Sequence, residues 1–85
     1  MASYRIQIKP AAAKELEAIP LKDRKRLIAK IRRLAQEPRP AGCEKLSGED
    51  KFRLRQGDYR ILYSVDDVNS SIVVAKLGHR RDVYR

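Results

Sequence analysis

The sequence has no tryptophan, and its 85 residues include one phenylalanine, one histidine, one methionine and one cysteine. The single Cys43 cannot close an intramolecular disulfide, and one cysteine with one histidine is too small a set of soft ligands for a structural zinc site. These counts predict a protein of a reducing compartment with no metal and no small-molecule cofactor. Long apolar runs are missing too. None approaches the ~20 residues that a membrane-crossing helix needs, and the opening Met1-Ala2-Ser3-Tyr4-Arg5 lacks the apolar region of a secretion signal. A cytoplasmic location is therefore expected. Acidic charge is scarce: 11 Asp and Glu face 20 Lys and Arg, a formal charge of +9. Such an excess suits a polyanionic partner, either nucleic acid or an acidic protein. The shortage of Trp and Phe weighs against a membrane surface. The length allows one domain over residues 1–85, and domains of this size bury only roughly 60% of the surface their unfolded chains expose. A deep cofactor cavity is not expected.

What is present falls into clear periodicities. Tyr4 to Lys9 alternates, with Tyr4, Ile6 and Ile8 on one side and Arg5, Gln7 and Lys9 on the other, the pattern of a half-buried strand. Pro10 ends it and opens a short helix of strong helix formers, Ala11 to Ala18, closing before Pro20. A second helix is predicted over 21–37, where Leu27, Ile28, Ile31, Leu34 and Ala35 recur at the spacing of a core-facing stripe. Pro38 and Pro40 stop it, and 39–50 reads as a loop. Strands are predicted at 51–56, 58–66 and 71–77, with a short basic tail from Gly78. The expected fold is α+β: an N-terminal strand, a two-helix hairpin, then an antiparallel three-stranded meander, with the helices on one face of a mainly antiparallel sheet.

The most informative stretch is Lys51 to Tyr63. A two-residue turn at Gly57-Asp58, which a leading glycine permits as type II′, fixes the register. Arg55 then faces Arg60, Leu54 faces Ile61, Arg53 faces Leu62 and Phe52 faces Tyr63. Phe52, Leu54, Ile61 and Tyr63 form one apolar face, while Arg53, Arg55 and Arg60 gather on the other. Like charges directly opposed destabilise a sheet, so this face is either solvated or offset by a bound anion. The second helix is also strongly basic, through Lys22, Arg24, Lys25, Arg26, Lys30, Arg32 and Arg33. Together with Lys51 and Arg81, these cations are either a solvated face or a docking surface for RNA or for an acidic segment of a partner, held by phosphate-type contacts without sequence readout.

Several segments in order resemble the RelE/ParE toxin superfamily. They are the Tyr4-Arg5-Ile6 opening, the basic helix ending in Pro38, Lys45-Leu46-Ser47-Gly48, Phe52-Arg53-Leu54-Arg55, Gly57-Asp58-Tyr59-Arg60-Ile61-Leu62-Tyr63, and the closing Gly78-His79-Arg80-Arg81-Asp82-Val83-Tyr84. The resemblance implies a RelE-like fold, a small twisted sheet backed by a two-helix hairpin, in the toxin of a type II toxin–antitoxin pair. It implies a ribosome-dependent endoribonuclease that cleaves messenger RNA in the ribosomal A site and is held by a cognate RelB-like antitoxin. Arg53, Arg55 and Arg60 would surround the scissile phosphate, with Arg80 beside them and Tyr84 at the reacting 2′-hydroxyl. His79 is the alternative proton carrier. The best-known RelE pattern carries lysines at the positions of Arg53 and Arg55, and arginine holds its proton too firmly to be a ready general acid. The leaving-group acid is thus left open. The ParE branch implies a different outcome, inhibition of DNA gyrase without nuclease activity.

Overall fold

A computed structural model describes residues 3–46 and 50–79. Seven elements follow one another: β1 (Arg5–Ile8), α1 (Pro10–Glu17), α2 (Leu21–Arg33), β2 (Glu44–Lys45), β3 (Lys51–Gln56), β4 (Tyr59–Asp66) and β5 (Ser71–His79). The strands form one sheet in the order β1-β5-β4-β3-β2. β3, β4 and β5 are the expected antiparallel meander, while β1 joins the outer edge of β5 in parallel, Ile6 beside Ile72. The first and last strands are therefore neighbours, and the helical hairpin lies between them in sequence.

Pro10 opens α1 at a position where its missing N–H costs nothing. At the far end, the Arg24 guanidinium donates to the carbonyl oxygens of Ile19 at 3.1 and 3.2 Å and of Glu17 at 3.2 Å. These bonds satisfy acceptors that the end of α1 would otherwise leave open. α2 stops at Arg33, four residues earlier than the prolines suggested. Residues 34–36 tighten into i→i+3 bonds, Leu34 N to Ile31 O at 3.0 Å and Ala35 N to Arg32 O at 3.2 Å, and the Ala35 carbonyl accepts from Tyr4 N at 2.9 Å. Glu37 N still reaches Arg33 O at 3.0 Å, and the bond from Tyr4 takes up one of the carbonyls that a helix end leaves open.

The core lies between the hairpin and one face of the sheet. Ala12 and Ile19, then Leu27, Ile31 and Leu34, meet Phe52, Leu54, Ile61, Tyr63, Val65, Ile72, Val74 and Leu77, all buried. Three further features depart from the sequence expectation. Glu44 and Lys45, read as loop, pair with Arg53 and Phe52 as a fifth strand. Gly78 and His79, read as tail, continue β5 opposite Arg60 and Tyr59. Finally, β5 carries a bulge: Leu62 pairs with Lys76 but Tyr63 with Val74, so Ala75 is the extra residue. The bulge lets Val74 and Leu77, three apart, both face the core. No helix is long and apolar enough to cross a membrane among the described residues.

Candidate active site

The β3–β4 register is the one the sequence predicts, with Gln56 opposite Tyr59, Arg55 opposite Arg60, Leu54 opposite Ile61, Arg53 opposite Leu62 and Phe52 opposite Tyr63. Gly57 has φ +61°, and Asp58 is not among the positive-φ residues, the sign pattern of a type II′ turn. Because Phe52, Leu54, Ile61 and Tyr63 are buried under the helices, the pleat directs Arg53, Arg55 and Arg60 to the opposite, open face. Arg55 is exposed, while Arg53 and Arg60 are half-buried.

Two lysines share this face. Lys51 stands opposite Ser64 and Lys76 opposite Leu62. Lys76 escaped the sequence reading because strict alternation from Ile72 and Val74 sends it to the core. Only the bulge at Ala75 turns it outward, and the signal was the three-residue step from Val74 to Leu77. The middle of the face is apolar: a depression of about 350 Å³ has Leu62, Val73 and Ala75 among its lining residues, with Lys9, Lys51 and Lys76 beside them.

A second residue missed by the sequence reading is Glu44. Its carboxylate forms an ion pair with the Arg53 guanidinium, because β2 places the two residues directly opposite each other. β2 pairs with β3 only at Arg53 and Phe52. A cleft of about 290 Å³ beside it brings Lys30 of α2 together with Glu44, Arg53 and Arg55. Of the helix cations, Lys30 thus reaches the arginine set. Lys22, Lys25, Arg26, Arg32 and Arg33 are exposed along α2, and Arg24 is committed to the end of α1.

The segment that leads into β2 is fixed from behind. Arg39 grips Asp67 with two hydrogen bonds of 2.9 and 3.3 Å, and its guanidinium lies 5.2 Å from the centre of the Phe52 ring. Tyr4 donates its hydroxyl to Asp67 at 2.6 Å, and the Tyr63 hydroxyl donates to the Pro38 carbonyl at 2.7 Å. The Arg39 and Tyr4 hydrogen bonds hold the Asp67 carboxyl below its ordinary range, and the same contact raises Tyr4. Burial, then the neighbouring Cys43, pushes the Tyr63 phenol well above its ordinary value. The sequence reading gave Arg39 and Tyr63 no polar role, since their partners are remote in the chain.

His79 lies elsewhere. It pairs with Tyr59, so the pleat places it on the helix side of the sheet, and its ring meets Tyr59 edge-on at 5.9 Å. The residue opposite Arg60 is Gly78. The structure therefore separates His79 from the arginines it was expected to serve. Arg80, Arg81 and Tyr84 lie outside the described residues. Among the described residues no three His, Cys, Asp or Glu side chains are grouped as a metal site would require.

Comparison with known proteins places these features in context. The ParE toxin family of the type II toxin-antitoxin system, parDE, matches residues 6–84. Toxin RelG of Mycobacterium tuberculosis (strain ATCC 25618 / H37Rv) is 30% identical over 90 residues, spanning 96% of this chain and 97% of that protein. A chain of the archaeal RelE-RelB complex from Pyrococcus horikoshii OT3 superimposes with a TM-score of 0.81 at 30% identity, covering 95% of this chain and 99% of that one. A chain of the toxin-antitoxin complex RelBE2 from Mycobacterium tuberculosis gives 0.80 at 26% identity, covering 92% and 99%.

Proposed function

The chain belongs to the RelE/ParE superfamily of toxins from type II toxin–antitoxin systems, and from that membership we propose that its arginine face cleaves messenger RNA in the ribosomal A site. The observation that carries the reading is the opposed pair Arg55 and Arg60, with Arg53, Lys51 and Lys76 on the same open face. A sheet face that opposes like charges gives up stability, and a phosphodiester restores it.

The reaction requires little of the protein beyond charge and proton transfer. The 2′-hydroxyl gives up its proton and attacks the adjacent phosphorus, the bond to the 5′-oxygen breaks, that oxygen takes a proton from water, and a cyclic phosphate and a free 5′-hydroxyl result. Guanidinium forks take up the extra charge on the five-coordinate phosphorus. The nucleophile belongs to the RNA itself, so the scheme calls for no metal. Glu44, held against Arg53, is a carboxylate on this face that can accept the 2′-hydroxyl proton. The resemblance assigns Tyr84 to that hydroxyl as well and Arg80 to the phosphate. The exposed cations of α2, from Lys22 to Arg33, serve as docking contacts to ribosomal RNA, and a RelB-like antitoxin of opposite charge holds the toxin inactive.

Primer extension on messages in a translating extract tests the assignment. New cuts within codons are expected with the unaltered chain, and Arg60→Ala is expected to slow them by roughly 10²–10³-fold. Cutting at full rate by Arg60→Ala overturns it. A second reading rests on the match to the ParE family: the chain inhibits DNA gyrase and leaves RNA intact. A supercoiling assay with purified gyrase separates the two, because inhibition without message cleavage reverses the assignment.

A further inference from the structure

On the helix side of the sheet, at the tip of the β3–β4 hairpin, a cleft of about 440 Å³ is lined by Asp23 and Arg26 of α2, Gln56 and Asp58 of the hairpin, and the Tyr59–His79 pair. Both rings are only half-buried. They meet edge to face, and the half-buried Tyr59 offers a flat aromatic ring at the cleft. The polar groups around them are uncommitted. No hydrogen bond or ion pair joins the side chains of Asp23, Arg26, Gln56 or Asp58 to another described residue, in contrast to Arg24, Arg39 and Arg53, which are each engaged.

This combination selects a ligand chemistry. An aromatic surface takes a flat heterocycle, and a guanidinium takes a phosphate. Carboxylates only accept hydrogen bonds, so they favour a base that offers two adjacent donors. Guanine does so through N1–H and its amino group. Adenine and cytosine set an acceptor nitrogen beside their single amino group, and uracil sets one N–H between two carbonyls, so each turns a lone pair toward a carboxylate. The cleft lies across the sheet from the proposed reaction face at the tip of the same hairpin, where Gln56 and Tyr59 are the chain neighbours of Arg55 and Arg60.

We propose that this cleft is a guanine-selective subsite for single-stranded RNA, in which Tyr59 and His79 support the base, Arg26 binds a phosphate, and Asp23 or Asp58 reads the guanine edge. The subsite rests on the reading of the protein as an RNA-cleaving toxin and gives His79 a role in RNA binding on the far side of the sheet from the arginines.

The test is fluorescence anisotropy of the full chain with labelled RNA pentamers that differ only in a central G, A, C or U. The G pentamer is expected to bind about fivefold or more tighter than the other three, and His79→Ala to weaken it roughly tenfold, the scale of a lost stacking partner. His79→Phe keeps a flat ring and is expected to retain most of the affinity. Asp23→Asn combined with Asp58→Asn is expected to erase the preference for G, with thermal melting of each variant as the control for folding. Equal binding of the four pentamers, or a G preference that survives both Asp changes, overturns the proposal. Failure here is distinguishable from failure of the cleavage reading. A chain that cuts messages but binds the pentamers equally loses only the subsite. One that prefers G but cuts nothing loses only the nuclease assignment.

Discussion

The two faces of the β3–β4 hairpin are built from alternate residues of the same thirteen-residue stretch, 51–63, and they obey opposite rules. The helix-side face satisfies every requirement of a core: Phe52, Leu54, Ile61 and Tyr63 are buried, and the Phe52 and Tyr63 rings stack at 5.7 Å. The other face breaks the cross-strand rule by setting Arg55 against Arg60. The contrast shows where stability comes from and where it is given up. The buried face supplies the packing of the hairpin, and the open face sets like charges opposite each other at some cost to it.

The largest effect should come from breaking the buried face. Ile61→Ala is predicted to cost about 2–5 kcal/mol, the range for truncating a fully buried branched side chain, read by urea denaturation. Breaking the open face should leave the fold intact and remove function: Arg60→Ala is predicted to slow message cleavage by roughly 10²–10³-fold, the scale of losing one donor to transition-state charge. Arg55→Glu sharpens the comparison, because it replaces like charges with an opposite pair. It is predicted to raise stability by roughly 0.2–1 kcal/mol while abolishing cleavage. A loss of stability in that variant would show that the opposed arginines are already compensated in the free protein.

Helix α2 allows the same comparison within one element. Arg24→Ala is predicted to cost about 1 kcal/mol because it frees the carbonyls at the end of α1. Alanine at the exposed Lys25 or Arg32 should stay within about 0.5 kcal/mol and weaken only ribosome binding, with a reduced salt dependence. The smallest effect belongs to the latch behind Glu44. The folded value of Asp67 lies below the ordinary 3.8. Its contribution is therefore complete above the ordinary carboxylate range and is lost as pH falls through the lowered folded value. Asp67→Asn is predicted to flatten the fall of the melting temperature below about pH 4. Asp66, lowered by its Asn69 hydrogen bonds, keeps part of that dependence in place.

Much of this was legible in the chain because the informative signals were local. Alternation placed β1 and the hairpin, Gly57 set the turn, and the turn fixed a register that held from Gln56 through Phe52. The misses share a cause. Glu44 became a strand residue only because Arg53 lay opposite it, and nothing in a two-residue segment announces pairing. Lys76 reached the open face through a bulge, and His79 was assigned to the arginines from its neighbours in sequence, although the pleat sends it across the sheet. α2 gives way to a tighter turn over 34–36, and the Ala35 carbonyl finds its partner in Tyr4, remote in the chain.

The sequence by itself determined the excess of positive charge, the α+β order of elements, and which arginines of the hairpin share a face. Side-chain period and turn geometry are properties of neighbouring residues. Only the tertiary structure decided that the first strand lies parallel to the last, that Glu44 sits on Arg53, that Lys76 joins the arginines and that His79 leaves them. Each of these depends on how separate segments pair across the sheet, which the periodicity within one segment does not encode.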